Sequence, residues 1–396
     1  MKQAVFSFIK KETVLVVATI LAIISAFWVR PDKAYFSYID WRVLGILLSL
    51  MYIMAGFQKH GVFQKIGKWL LQKTRNTVQL AAVLVFLCFF FSMFITNDVA
   101  LLTFVPFTML ILQNCKQEKW LIPVIVLQTL AANLGSMLTP IGNPQNLYLY
   151  QLGGFSAGEF VQVMLPYTIA SGILLLAGVL LLEHGKETIT VVIENKNEKA
   201  CESQQAKLLG KQSITAGKTQ RISAKFKIAA YTIFFLLSLL VVGRMLPWYL
   251  VLAAILVAVL LMDRDMLKNV DYCLLLTFIS FFIFTGNMGR IPSIQSGLQQ
   301  MVAGHEQLIG ILASQVISNV PATLLLSGFT DNLKGLLVGV NLGGLGTLIA
   351  SMASLISYKI YAHQYNEKKV RYFLWFTAAN IFFLLVLLLT AFVLSQ

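Results

Sequence analysis

The chain has 396 residues, of which 58% are hydrophobic and only 12% are charged, against about 25% charged in a soluble domain. That excludes a string of soluble domains and points to an integral membrane protein whose unit is the spanning helix of about 20 residues. The net charge of +14 would suit nucleic acid, but Lys and Arg gather in the loops between apolar runs, as cytoplasmic loops do, so no nucleic-acid partner is expected.

The apolar run 14–29 follows Lys2, Lys10 and Lys11. Its length, and the lack of a small-x-small cleavage site after it, predict a retained first span rather than a signal peptide. It runs outward from a basic N-terminus inside, and 41–57 spans back. Residues 61–75 place Phe63, Ile66, Trp69 and Leu70 at helical spacing against Lys65, Lys68 and Lys73, the pattern of an interfacial helix on the cytoplasmic side. The segment 78–95 then enters the membrane, Thr96-Asn97-Asp98 interrupts it, and 99–112 leads to Lys116 and Lys119. Two readings fit: an over-long span plus a stub, or a re-entrant hairpin over 78–112 with the polar tip at its turn. The hairpin keeps these lysines cytoplasmic and is the expectation adopted.

Segment 121–138 enters again and breaks at Thr139-Pro140-Ile141-Gly142-Asn143-Pro144-Gln145. Two prolines and a glycine so close together cannot stay α-helical. A broken helix, here 121–150, is tolerated at membrane depth only where it is buried in protein or lines a cavity. The segment 161–182 returns to the cytoplasm and closes a first repeat over 1–183. A polar, lysine-rich cytoplasmic linker follows over 184–225, in which 189–193 has the letters of a short strand.

The second repeat, 226–396, spans out over 226–242, in over 247–262 and out over 272–285. An outer amphipathic stretch, 289–303, precedes a second hairpin over 307–329, entering from outside and turning at Ser318-Asn319. A second broken helix, 335–358, is interrupted at Gly343-Gly344-Leu345-Gly346-Thr347, and 372–394 is the last span. The predicted fold class is an all-α polytopic protein of the inner (cytoplasmic) membrane. It has about nine spans of about 20 residues, two re-entrant hairpins and two broken helices, with the N-terminus in and the C-terminus out.

The halves match in order and in letters. Ile95-Thr96-Asn97 aligns with Ile317-Ser318-Asn319, and Ala100 with Ala322. Asn133-Leu134-Gly135 aligns with Asn341-Leu342-Gly343, and Thr139 with Thr347 at the same offset. One hairpin opens from the cytoplasm and the other from outside, so the repeat is inverted. Inverted repeats, broken helices and a midplane site are the marks of secondary transporters.

Polar groups at membrane depth are functional candidates by default. Thr96, Asn97, Ser318 and Asn319 offer oxygens to a small cation or donors to a carboxylate. Pro321 has no N–H, which leaves the Ile317 carbonyl without its helical donor, and Pro140 does the same for Ser136. Freed carbonyls suit sodium, a hard cation; Gly343, in the second break, joins the expected cation ligands. Asn143-Pro144 reads as an N-cap with proline at the first helical position, and Asn319 with Pro321 reads the same way. Such helix starts favour anions. The expected cation ligands are therefore Thr96, Asn97, Asp98, Ser136, Ile317, Ser318, Asn319 and Gly343, with sodium at the hairpin tips. The expected substrate ligands are Asn97, Thr139, Asn143, Asn319 and Thr347. Capping alone is the plainer reading of Asn97, Asp98, Asn143 and Asn319.

Asp98 is the one carboxylate placed near the membrane centre, and its counterpart is Val320. It has three readings of equal standing: sodium ligand, proton carrier or helix cap. No Lys or Arg lies near either tip in the sequence, so an anionic substrate would rest on amides, hydroxyls, helix dipoles and a co-bound cation. Gly339-x-x-x-Gly343, followed by Gly344 and Gly346, is expected to permit unwinding and close approach to substrate, with helix packing or dimerisation as the alternative. Cys88, Cys115, Cys201 and Cys273 have no metal or disulfide spacing. His60, His184, His305 and His363 are expected to be solvated or interfacial side chains.

At Thr96-Asn97-Asp98-Val99-Ala100, Leu138-Thr139-Pro140-Ile141-Gly142-Asn143-Pro144-Gln145-Asn146 and Ser318-Asn319-Val320-Pro321 the chain resembles the ion-transporter superfamily. That group holds divalent-anion/sodium symporters, citrate carriers and ArsB/NhaD permeases. The likeness covers nearly the whole chain and is greatest to small bacterial anion permeases with a citrate-transporter-like domain. It implies an elevator-type carrier, often a homodimer, whose hairpin tips carry paired Ser-Asn-Thr motifs for sodium and substrate carboxylates. Carried over, these are Thr96-Asn97-Asp98 and Ser318-Asn319-Val320. Neither is an intact Ser-Asn-Thr, and Asp98 leans toward the ArsB/NhaD side.

The function expected is sodium- or proton-coupled transport of a di- or tricarboxylate or an inorganic oxyanion, with no cofactor beyond the coupling ion. The alternative is a sodium–proton antiporter or an arsenite-type efflux permease, with Asp98 as the exchanging group. An intramembrane enzyme would need a second acid, a histidine cluster or an activated nucleophile near Asp98, and the sequence places none there.

Overall fold

The computed structural model describes residues 12–71, 74–182, 223–268 and 270–394. The basic N-terminus and nearly all of the expected linker, including the strand 189–193, lie outside them. The described residues form eighteen α-helices joined by short turns. The first half holds α1 (Thr13–Trp28), α2 (Ala34–Tyr38), α3 (Trp41–Lys59), α4 (Val62–Leu71), α5 (Thr77–Phe91), α6 (Asn97–Asn114), α7 (Leu121–Ser136), α8 (Pro144–Leu152) and α9 (Ala157–Leu181). The second half holds α10 (Ala224–Val242), α11 (Trp248–Met262), α12 (Tyr272–Gly289), α13 (Pro292–Val302), α14 (Glu306–Ile317), α15 (Asn319–Leu326), α16 (Leu333–Leu342), α17 (Met352–Gln364) and α18 (Lys369–Leu394).

Among the described residues, five helical segments have the length and apolarity to cross a bilayer: Trp41–Lys59, Ala157–Leu181, Ala224–Val242, Tyr272–Gly289 and Asn366–Leu394. The helices α1 and α11 are as apolar but hold only 16 and 15 residues. The starts are set locally. Asp40, Asn76, Asn143, Ser156, Asp271 and Asn332 each accept a backbone N–H from the first turn of the helix they open. Each such cap is worth about 1 kcal/mol. Ser156 and Glu159 form a reciprocal capping box, readable as S-x-x-E in the sequence.

Packing sorts the helices into two groups. One gathers α1, α3, α10, α11 and α12: α1 lies along α12, and α3 lies between α10 and α11. The other gathers α5–α9 with α14–α18, in which α5 and α6 flank α7, and α14 and α15 flank α16. The chain folds back between α5 and α6. The Gln128 amide nitrogen on α7 donates to Leu84 O on α5 at 3.0 Å and to Thr108 Oγ1 on α6 at 2.8 Å. One atom cannot reach both residues of a straight helix, which rises about 1.5 Å per residue. It folds back again between α14 and α15, where the Glu306 carboxylate accepts from Thr330 Oγ1 and Asn332 Nδ2.

Small residues set the closest approaches. A Cβ on Gly339 of α16 would lie 2.6 Å from Gln307 O on α14, and one on Gly343 would lie 2.7 Å from Ser314 Oγ. Gly339-x-x-x-Gly343 is thus a packing seam between α14 and α16, where substrate contact had been expected. Backbones meet where no side chain intervenes.

At one end of α3, α10 and α11 lies a buried ionic cluster. Asp263 accepts from Lys59 Nζ at 2.7 Å, Lys227 Nζ at 3.1 Å, His60 Nε2 at 3.2 Å and Tyr231 Oη at 3.2 Å. Burial alone would raise its pKa, but the hydrogen bonds from His60, Lys59 and Lys227 outweigh it and hold the carboxyl well below the usual range. His60, expected to be solvated or interfacial, stands half-buried at the end of α3. Its partner stands 203 positions later. His305 and His363 are exposed, and His184 lies outside the described residues.

Candidate functional site

Each fold-back ends on an asparagine that opens the returning helix. Asn97 is the first residue of α6. Its backbone N–H donates to Gly142 O at 3.2 Å, and its Oδ1 accepts from Asp98 N at 3.0 Å. Asn319 is the first residue of α15. Its backbone N–H donates to Ala350 O at 2.9 Å, and its Oδ1 accepts from Val320 N at 2.9 Å. Gly142 and Ala350 stand at the same offset that relates Thr139 to Thr347. The reading of Asn319 as an N-cap is corrected: Ser318 holds that position and makes no side-chain cap bond. Ser318 turns the chain with φ 75° and ψ 154°, a region natural to glycine that costs a side-chain-bearing residue about 1–3 kcal/mol.

The two breaks are fastened the same way. Thr139 Oγ1 donates to Met93 O in the first turn, and Thr347 Oγ1 donates to Gln315 O before the second at 3.2 Å. Met93 and Gln315 stand at the offset that relates Asn97 to Asn319. Thr139 is half-buried and Thr347 exposed. Both threonines therefore tie fold-back to break through the hydroxyl proton, which leaves each hydroxyl oxygen as an acceptor only.

Between the breaks runs a network of amides and hydroxyls. Asn133 Oδ1, on α7, accepts from Asn97 Nδ2 and from Ser351 Oγ, each at 3.0 Å, and its Nδ2 donates to Ser354 Oγ at 3.2 Å. Asn341, on α16, donates from Nδ2 to Asn146 Oδ1 at 2.7 Å and accepts at Oδ1 from Asn143 Nδ2 at 3.3 Å. Thus the amide before each break bonds the residues that follow the other break. Ser136 joins the two sets: its Oγ donates to Asn133 O at 2.9 Å and accepts from Asn143 Nδ2 at 3.2 Å. Asn319 reaches the network through Ala350, beside Ser351. Asn143 caps α8 as the sequence predicts, accepting from Asn146 N at 2.9 Å.

The freed carbonyl expected at Ser136 is not free, because Asn146 Nδ2 donates to it at 3.2 Å. Gly343 O likewise accepts from Gln315 Nε2 at 2.9 Å. Ile317 keeps a carbonyl without its helical donor, since Pro321 has no N–H. Among the described residues, no Lys or Arg hydrogen-bonds to the network, and no group of three His, Cys, Asp or Glu side chains stands ready for a metal ion. The starts of α6, α8, α15 and α17 all adjoin the network, each bringing the partial positive charge of a helix N-terminus, although most of their first-turn N–H groups already have acceptors. Asp98, in the first turn of α6, is half-buried, and its carboxylate has no hydrogen-bond or ion-pair partner among the described residues. Thr96 precedes it in extended backbone and makes no side-chain cap bond.

The structure thus unites Asn97, Ser136, Asn143 and Asn319 and keeps Asp98 and Ser318 at the tips. It adds Asn133, Asn146, Asn341, Ser351, Ser354 and Gln315. The signal for Asn133 and Asn341 was in the sequence, as amides at matched places in apolar runs. Gln315, Ser351 and Ser354 gave none.

Residues 4–334 match the model of a family described as citrate transporter. An uncharacterized transporter of Methanocaldococcus jannaschii is 33% identical over 82% of each chain. The Escherichia coli inner membrane protein YbiR is 30% identical over 83% of this chain and 82% of its own. A Dictyostelium discoideum protein described as an arsB transporter is 27% identical over 43% of this chain and 30% of its own. Apolar helices, a buried amide network and these matches agree: the chain is a multi-pass membrane transporter, not an enzyme, and belongs to the citrate transporter family.

Proposed function

We propose that the protein is a secondary active carrier of the cytoplasmic membrane that moves a small anion, a di- or tricarboxylate or an inorganic oxyanion, with a cation. The observation that carries this reading is the crossed network. Asn133 bonds Ser351 and Ser354 of the other half, and Asn341 bonds Asn143 and Asn146 in return. Two equivalent halves exchanging equivalent bonds make an inverted repeat the simplest account. Such a repeat places substrate and ion at its interface. Four helix starts at one place favour an anion without any fixed cation. The fold-backs 78–112 and 307–329 are then re-entrant hairpins entered from opposite faces, with Thr96, Asn97, Asp98, Ile317, Ser318 and Asn319 at their tips.

The two packing groups support an elevator mechanism. The group holding both breaks is a mobile unit, and α1, α3, α10, α11 and α12 form the fixed one, through which a homodimer would assemble. The test is uptake into proteoliposomes under an imposed sodium or proton gradient. Accumulation should follow one of the gradients and vanish in Asn97→Ala and Asn319→Ala while both remain folded. Undiminished uptake in both variants refutes the site.

A second reading has its own observation. The unpaired Asp98 carboxylate fits cation–proton exchange or arsenite-type efflux, and one relative is described as an arsB transporter. Asp98→Asn separates the readings, since an exchanger loses all turnover whereas an anion symporter keeps substrate binding.

A further inference from the structure

The two unwound segments each turn several carbonyls inward, and in each an amide nitrogen stands among them. In the first break, Asn146 Nδ2 lies 3.2 Å from Ser136 O, 3.3 Å from Met137 O and 3.2 Å from Thr139 O. In the second, Gln315 Nε2 lies 2.9 Å from Gly343 O and 2.8 Å from Leu345 O of the break, and 3.3 Å from Ile311 O, a helical carbonyl of its own α14. The orientation of each amide is fixed by its other end. Asn146 Oδ1 accepts from Asn341 Nδ2 at 2.7 Å, and Gln315 Oε1 accepts from Thr347 N at 2.9 Å. Flipping either amide would set oxygen against three carbonyl oxygens and a nitrogen against a donor.

Converging carbonyl oxygens, those of Ser136, Met137 and Thr139 in the first break and of Gly343 and Leu345 in the second, are what a hard cation asks of a protein. An amide NH2 offers the same oxygens two polarised protons and no net charge. The two amides reach their cages by different routes, Asn146 from the helix after its own break and Gln315 from the hairpin before its break. The counterpart of Gln315 in the first half is Met93, which cannot donate, and the counterpart of Asn146 in the second is Ser354, which is too short to span the loop. The same filling is therefore achieved twice with non-equivalent residues, which a shared packing accident would not produce.

We propose that Asn146 and Gln315 are positioning residues whose amide nitrogens take the place of a cation in the two carbonyl cages, so that neither unwound loop binds sodium and the coupling cation binds at Asp98. The occupancy of the cages stands on the geometry alone, while the consequence for coupling rests on the carrier reading. The cages hold Ser136 and Gly343, two of the cation ligands expected from the sequence, and close both.

The experiment uses the purified full-length chain in lipid nanodiscs. Thermal stability is followed as sodium chloride replaces choline chloride at constant ionic strength, with no substrate present. A ligand bound only by the folded state raises the melting temperature with saturation. Asp98→Asn should show no saturable sodium-specific shift. Adding Gln315→Ala to Asp98→Asn should open one cage and create such a shift. A saturable sodium shift that survives in Asp98→Asn alone overturns the proposal. So does a folded Gln315→Ala, Asp98→Asn double variant that gains none. Should that double variant fail to fold, Asn146→Ser in the Asp98→Asn background reads the other cage by the same criterion, and the Asp98→Asn arm decides without either. Because nothing is transported in this assay, a failed cage and a failed carrier reading remain distinguishable.

Discussion

The bond between Asn133 and Ser351 joins residues 218 positions apart at 3.0 Å, and removing it probes the crossing of the two halves. Asn133→Ala deletes three side-chain bonds, to Asn97, Ser351 and Ser354. Intramembrane hydrogen bonds average about 0.6 kcal/mol in double-mutant cycles and reach about 1.7. A buried donor left unpaired adds about 1–3 kcal/mol. The two serine hydroxyls can turn to other acceptors, but the Asn97 amide cannot turn without losing its bond to Asp98 N. The loss should therefore be about 2–4 kcal/mol. Ser351→Ala removes a single donor and should cost about 1 kcal/mol. The informative quantity is the coupling between the two substitutions, expected at about 0.6–1.7 kcal/mol. It is read from a four-protein cycle of SDS-induced unfolding in bicelles, followed by the fluorescence of the six tryptophans. Additivity within about 0.3 kcal/mol would mean that the two side chains do not meet, and the crossed network would fall with it.

Asp263→Asn should destabilise the protein by about 3 kcal/mol, because it leaves Lys227 buried and Lys59 half-buried without their counter-ion. The folded-state pKa of Asp263 lies below its unfolded value of about 3.9. Its contribution is therefore complete above about pH 4 and lost as pH falls through the folded value. Melting temperatures across pH 3–6 should fall less steeply at the acid end in Asp263→Asn than in the parent, and parallel curves would deny the linkage. Gly339→Ala should cost about 1–3 kcal/mol, since its Cβ would sit 2.6 Å from Gln307 O, whereas Gly289→Ala meets nothing within 4 Å and should be neutral in the same melt. Asp98→Asn should abolish gradient-driven accumulation in proteoliposomes while leaving elution and melting near those of the parent. Accumulation at the parental rate would remove Asp98 from the coupling.

The sequence carried the helices and much of their punctuation, because caps and breaks are local. Asn143-Pro144 opens α8 just as the letters imply. Matched amides at Asn133 and Asn341 were visible as well, but which residues they bond was not: alignment shows equivalence between halves, while the structure shows exchange across them. The other misreadings share one cause. Pro140 does remove a donor from Ser136, yet whether that carbonyl stays free depends on Asn146, which folds back over the break. Gln315 carries no local signal, and its role exists only once the loop 343–347 lies against it. At Asn319 the local rule chose the wrong residue by one position, since Ser318 takes a backbone conformation that no propensity favours. That His60 pairs with a carboxylate was not legible either, because Asp263 arrives only in the second half.

The central claim is that the two hairpins enter from opposite faces and meet at one network. Single cysteines in place of Glu118, just after the first hairpin, and Asp331, just after the second, would test it most directly, with Cys88, Cys115, Cys201 and Cys273 replaced. Both positions are exposed. An impermeant maleimide applied to right-side-out and inverted membrane vesicles should label Glu118→Cys only from the cytoplasmic side and Asp331→Cys only from the outer side. Labelling of both positions from the same side would contradict the account.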